Sequence, residues 1–192
     1  MKQFSQAISY LIQISDLEMQ QFAERCYTKV YKRKEYLSQP RQIPQEVFFI
    51  EKGLLRMIIH DREGNEHTTH FALENQFIAD YSSFMQQKPG IYYLEALEET
   101  RVVVLPRPCV EWGYQNLQEG EKLGRLIAEF YFIYHDQRLL NQYARSPKER
   151  YDEITQVFPN IHNRVPQRMI ASYLGITPVH LSRLKKSLDQ KT

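Results

Sequence analysis

Between Arg164 and Leu188 the chain reads as two short helices joined by a glycine turn, which commits this end of the sequence to a small all-helical module. Pro166 starts the first helix, which carries Met169, Ile170, Tyr173 and Leu174 on its apolar side. Gly175 supplies the turn, where positive φ is easiest for a residue without a Cβ. Thr177 is an N-cap, and Pro178 takes the first position of the second helix, where its missing N–H costs nothing. That second helix is expected to bury Val179, Leu181, Leu184 and Leu188 and to turn His180, Arg183, Lys185 and Lys186 outward. A glycine turn followed by a basic helix is the pattern of a helix-turn-helix that reads duplex DNA. The alternative is a helical hairpin packed on a core, with a solvated basic face.

Charge is distributed to match. Residues 144–192 hold nine Lys/Arg against four Asp/Glu, a balance of +5 in a chain whose total is +2. The body before residue 144 therefore carries −3, and the basic charge is concentrated where phosphates are expected to be met.

The remaining bulk properties set bounds. With 42% hydrophobic and 12% aromatic residues, the 192-residue chain can build a core of one large domain, or of a medium one plus a small one. No apolar run approaches the ~18 residues of a membrane span, and residues 1–5 lead into a polar amphipathic stretch, so no membrane partner is expected; with only two cysteines, the cytoplasm is the expected compartment. Cys26 and Cys109 form no metal-ligand cluster and need not pair; an iron–sulfur sensor would need about four cysteine ligands.

Residues 3–25 have helical apolar spacing, restarted by the capping signal Ser15-Asp16-Leu17-Glu18. From about 26 to 105 the texture changes to short β-prone runs divided by turns. Val47-Phe48-Phe49-Ile50, Leu54 to Ile59, His67 to Phe71, Tyr92 to Leu97 and Val102 to Leu105 are the strands, with a hairpin loop at 61–65. Such spacing suggests a small antiparallel barrel or sandwich. Pro106 and Pro108 end the β region. A long helix over about 118–145 follows, roughly 42 Å at 1.5 Å per residue. Leu123, Leu126, Phe130, Ile133, Gln137, Leu140 and Ala144 recur along it at three- and four-residue intervals, a coiled-coil seam that predicts self-association. Ile127, Tyr131 and Tyr134 are left to pack on the barrel. Ser146-Pro147-Lys148-Glu149 then opens a new helix with a capping box, which places the domain boundary at 145–147.

In this order, an N-terminal helix, a β-barrel, a long helix and a helix-turn-helix resemble the Crp/Fnr family of bacterial transcription regulators. Local carriers of the resemblance are Val47 to Arg56, Asn75-Gln76-Phe77-Ile78-Ala79-Asp80, and Glu95-Ala96-Leu97-Glu98-Glu99-Thr100. It implies an α+β chain: an antiparallel, cyclic-nucleotide-binding-like jelly-roll barrel with its dimerisation helix over 1–145, and an all-α DNA-binding domain over 146–192. It further implies a homodimer, with double-stranded promoter DNA as partner and RNA polymerase as a possible second one. Arg183 matches a base-reading arginine of the family, able to pair with guanine O6/N7, with Ser182 and His180 assisting. Gln167, Arg168, Thr177, Lys185 and Lys186 complete the expected DNA face, and Val179 stands where many members have a glutamate.

The sequence departs from the family in two places. Cyclic-nucleotide-binding members have a glycine–glutamate pair and then an arginine for the phosphate. Here Phe77-Ile78-Ala79-Asp80-Tyr81-Ser82-Ser83 and Pro89-Gly90-Ile91-Tyr92-Tyr93 stand in those places, without the arginine. The effector pocket is therefore expected at Phe77, Asp80, Tyr81, Ser82, Ser83, Tyr92 and Tyr93. It would hold either an aromatic or uncharged effector or none, rather than cAMP bound in the usual way. The second departure is that the sequence ends four residues after Leu188, where the family adds a two-stranded wing. DNA contact is expected to rest on the two helices alone.

No catalytic signature is present: there is no Gly-rich loop with Lys-Ser/Thr, no His-Glu-x-x-His and no Gly-x-Ser-x-Gly. His67 and His70 sit three apart on a strand and point to opposite faces. Neither a metal nor a cofactor is expected, and the chain reads as a regulator rather than an enzyme. One rival reading stays open: a ligand-binding sensor whose helical C-terminal module docks a protein instead of DNA.

Overall fold

The computed structural model describes residues 1–189. Two helices open the chain, α1 (Lys2–Leu11) and α2 (Asp16–Ala23), divided where the Ser15 signal predicts. Ser15 and Glu18 close a reciprocal capping box, with Ser15 Oγ accepting from Glu18 N at 3.3 Å. Strands β1 (Tyr27–Tyr31), β2 (Tyr36–Ser38), β3 (Glu46–Lys52), β4 (Leu55–His60), β5 (Glu66–Ala72) and β6 (Phe77–Ile78) lead to the short helix α3 (Tyr81–Gln86). Strands β7 (Tyr93–Ala96) and β8 (Thr100–Pro106) follow, then α4 (Arg107–Asn116) and the long helix α5 (Gly120–Ala144). The chain continues through α6 (Pro147–Val157), α7 (Ile161–Arg164), α8 (Gln167–Leu174) and α9 (Pro178–Asp189).

The strands form two four-stranded sheets, ordered β1-β8-β3-β6 and β2-β7-β4-β5, in a jelly-roll arrangement. The pairings of β1 with β8, β2 with β7, and β3 with both β6 and β8 are antiparallel; β1 runs against β8 from Tyr27 opposite Val104 to Tyr31 opposite Thr100. Continuous apolar runs in β3 and β8 reflect burial on both faces. Phe48, Ile50, Val102 and Val104 point into one core with Leu55, Met57 and Leu94. Phe49, Val103 and Leu105 point the other way, onto Phe4, Ile8, Phe22 and Leu123 of the helices.

Gly53 makes the β3–β4 turn at φ +110°, and a Cβ there would stand 2.4 Å from Thr100 Oγ1 and 2.6 Å from Thr100 Cα. Gly53→Ala is therefore expected to cost at least about 1–3 kcal/mol through backbone strain alone. Urea unfolding checks this, and an unchanged midpoint would contradict it.

By compactness the chain forms two units, Met1–Met57 with Ala72–Phe132, and Ile58–Phe71 with Ile133 onward. The helix break expected at 145–147 is present and lies inside the second unit. In that unit Ile154, Phe158, Ile161, Val165, Ile170, Leu174 and Leu181 are buried. Val179 corrects an expectation: it is 62% exposed. It lies about 200° around the helix from Leu181, so the two cannot share a buried face. The side chain of Leu188 lies outside the described residues.

Three helices went unpredicted. Pro108 sits in the first turn of α4 and starts that helix rather than merely ending the strand before it. The others, α3 and α7, have only six and four residues, too short for an apolar period. Pro166 is the N-cap of α8, one place earlier than a first-turn proline.

Candidate nucleic-acid interface and effector barrel

The local chemistry that presents α9 is complete. Gly175 ends α8 in the left-handed region at φ +66°, with its N–H donating to Ser172 O at 3.1 Å and Ile176 N–H to Ala171 O at 3.0 Å. Thr177 Oγ1 then accepts from His180 N at 3.2 Å and starts α9. A shallow groove on the surface is lined by Thr177, Val179, His180, Arg183, Leu184 and Ser187. It joins Thr177, His180 and Arg183 of the expected DNA face and adds Val179 as an apolar neighbour. Ser182 and Lys186 are exposed on the same helix, and Gln167 and Arg168 are exposed at the start of α8. Lys185 is half-buried, and its charge, after burial, helps hold His162 below the usual histidine range.

A partly buried polar chain fixes α8 within the same unit. Tyr173 and Tyr134 hydroxyls are 2.9 Å apart, and His70 Nδ1 lies 2.8 Å from Tyr134 Oη. The Arg138 guanidinium stacks 3.7 Å above the Tyr173 ring and donates to Tyr173 O and Thr68 O at 3.1 and 3.3 Å. Thr68 N–H donates to Ser172 Oγ at 2.9 Å. The helix that precedes the turn is thereby tied to the β5 backbone through both a hydroxyl and a guanidinium. Burial first, then the charges of His135 and Arg138, push the His70 imidazole down to about 3. His67 is instead exposed and paired with Asp61 at 2.8 Å, as alternation along a strand requires.

His70 links folding to pH. Its folded value lies below the unfolded value near 6.5, so the neutral form is the stable one and the unfolded chain takes up the proton first. The contribution is fully present above about pH 6.5 and declines as pH falls, by at most about 1.4 kcal/mol per unit. His70→Gln is expected to unfold with a flatter pH dependence than the parent chain between pH 6.5 and 5; parallel curves would contradict it.

The expected effector residues do not converge on one cavity. Asp80 is 3% exposed and accepts from Ser83 N at 3.3 Å and Ile91 N at 3.2 Å. Gly90 packs so closely that a Cβ there would meet Asp80 Oδ2 at 2.6 Å. Tyr92 lies near enough for the Asp80 charge, added to burial, to raise its phenol above the usual range. Asp80, Ser83 and Tyr92 are thus together. Phe77 is not with them: strand alternation sends it to the helical side, against Phe4 and Phe49, while Ile78 faces the barrel interior. Tyr81 stacks on Phe84 with centroids 6.3 Å apart, Ser82 accepts from Gln86 at 2.9 Å, and Tyr93 packs on Tyr36 at 5.4 Å. A buried Arg56–Glu95 ion pair at 3.6 Å was not foreseen. Its signal was the alternation of Arg56 between Leu55 and Met57.

Along α5 the seven-residue seam divides. Leu123 is buried in the chain's own core, and Leu126 packs partly against that core. Further along, Phe130, Ile133 and Leu140 are 57%, 55% and 57% exposed, and Gln137 is exposed beside them. Phe132, Leu139 and Tyr143 widen this uncovered apolar surface. Tyr131 behaves as expected, donating its hydroxyl to Phe77 O.

Residues 28–116 match the family model of the cyclic nucleotide-binding domain. No curated protein matches the chain in sequence. Among solved structures, FixK2 from Bradyrhizobium japonicum is similar at 16% identity and a TM-score of 0.73, over 86% of this chain and 85% of that one. CLP of Xanthomonas campestris, a global regulator responsive to c-di-GMP, is similar at 10% identity and 0.69, over 90% and 91%. A Crp/Fnr-family transcriptional regulator from Eubacterium rectale is similar at 13% and 0.70, over 93% and 85%. Residues 28–116 are thus similar to a cyclic nucleotide-binding domain, and the fold of the chain is that of the Crp/Fnr regulators. The resemblance read from the sequence holds at that level. Among the described residues no helix is long and apolar enough to cross a membrane.

Proposed function

We propose that this chain is a DNA-binding transcription regulator of the Crp/Fnr type that works as a homodimer. In this reading residues 1–145 are the effector domain with its dimer helix, and residues 146–192 are the DNA-binding domain. The observation that carries the proposal is α9 itself, a capped helix held out by the Gly175 turn with His180, Ser182 and Arg183 exposed. Arg183 reads a guanine, Val179 offers apolar contact to a thymine methyl, and Arg168, Lys185 and Lys186 hold phosphates. The uncovered surface of α5 from Phe130 to Tyr143 supports pairing of two chains, which would bring two recognition helices to a palindromic site.

The barrel is not expected to take cAMP in the usual way. The amides of Ser83 and Ile91 already donate to the Asp80 carboxylate, so the place of a phosphate holds a negative charge. Its effector is either a small molecule without a phosphate at that position, or absent.

Selection of bound duplexes from a random pool tests the proposal. An enriched palindrome is expected, with affinity falling steeply with salt, about 0.9 log unit per log unit of salt for each phosphate neutralised. A pool that stays random would overturn it and favour the protein-docking alternative.

A further inference from the structure

We infer that Cys26 and Cys109 form an oxidisable dithiol that closes to an intrachain disulfide when a hydroperoxide reaches it. The two sulfurs are 3.3 Å apart although 83 residues separate them in sequence. Cys26 is half-buried between α2 and β1, and Cys109 is buried in the first turn of α4. Both thiols lie over the same carbonyl, Phe22 O, at 3.5 and 4.0 Å. A disulfide needs about 2.05 Å between sulfurs, an approach of little more than an ångström.

Cys109, in the first turn of α4 where Arg25 stacks on Trp112 of the same helix, is the better placed of the two sulfurs to carry negative charge. The hydrogen bond shared with Cys26, and then the Arg25 charge, hold Cys109 below the usual thiol range. The shared proton and burial hold Cys26 above it. Arg25 is kept near by stacking 3.9 Å over Trp112, one turn along α4 from Cys109. Low-pKa sulfur beside a second thiol is the arrangement that oxidises selectively.

The chemistry balances with hydrogen peroxide as oxidant. The Cys109 thiolate attacks one peroxide oxygen, the O–O bond breaks, and hydroxide leaves to take up the proton that Cys109 released. The Cys26 thiol then attacks the Cys109 sulfenic sulfur, the S–S bond forms, the S–O bond breaks, and water carries off the Cys26 proton. Two thiols lose two electrons and one peroxide becomes two waters.

The bond would staple α2 to α4 at a corner already tied to the start of α5. There Gln13 N donates to Glu119 and Gln118 N to Glu18, each at 2.8 Å. Because the closed loop is long, oxidation is expected to raise the melting temperature by roughly 4–16 °C.

The test uses the full chain, reduced and freed of reductant, then exposed to a few equivalents of hydrogen peroxide and alkylated. The expected product is a chain not cross-linked to another, about 2 Da lighter with neither cysteine alkylated, a non-reduced digest joining the Cys26 and Cys109 peptides, and reversal by dithiothreitol. Two alkylated cysteines, an oxygenated sulfur on one of them, or a cross-link between chains would each overturn the inference. In Cys26→Ser the same dose is expected to leave Cys109 as a sulfenic acid that reacts with dimedone. A variant inert to dimedone would contradict Cys109 as the attacking sulfur.

Discussion

A chain carrying Ile133→Asp and Leu140→Asp is expected to sediment as a monomer and to lose at least about 100-fold in affinity for its palindromic duplex. Both side chains are more than half exposed, so the fold of the single chain should survive, with an unchanged circular dichroism spectrum. In the proposed dimer each would be buried, and since each is already about half covered, four such side chains would contribute roughly 3–7 kcal/mol of apolar burial, before counting the cost of desolvating four carboxylates. Even the lower figure is about two orders of magnitude in the dimer dissociation constant. The DNA loss follows because two linked half-site contacts become separate bimolecular events. A double variant that stays dimeric would move the interface elsewhere. One that becomes monomeric yet binds DNA undiminished would separate dimerisation from recognition.

Arg183→Ala is expected to weaken cognate binding by about 1–3 kcal/mol at each half-site, and so by roughly 2–6 kcal/mol in the dimer. The guanidinium is the one group on the α9 groove able to donate two parallel hydrogen bonds to guanine O6 and N7. Random duplex should be affected far less, by about the value of one phosphate contact, and preference at one base pair of each half-site should relax. Arg183→Lys should not restore the preference, since an ammonium lacks the planar fork. Equal losses on cognate and random DNA would reduce Arg183 to a phosphate contact. Lys186→Ala, by contrast, is expected to lower affinity evenly across sequences and to flatten the salt dependence.

What could be read from the sequence was what depends on near neighbours. The Ser15 and Ser146 capping boxes, the Gly175 turn and the Thr177 cap each rest on residues within four positions of one another, and all form. Alternation separated His67 from His70 correctly, and would also have separated Phe77 from Ile78 had the two-residue strand been recognised. Groupings made by the fold were not legible. Cys26 meets Cys109, Arg56 meets Glu95, and His70 meets Tyr134 and Tyr173 only after distant elements are brought together. The same limit explains Leu123: its spacing fits the seam, but Phe4 and Phe22 claim it for the chain's own core. Asp80 carried the right chemistry for a polar pocket, and the amides of Ser83 and Ile91 turn it into a structural pin.

Hydroxyl-radical footprinting of the selected duplex tests the dimeric reading most directly. Two protected patches are expected on one face of the DNA, centred about 34–36 Å apart, with two chains bound per duplex. A single patch with one chain per duplex, or uniform protection that follows no sequence, would contradict it.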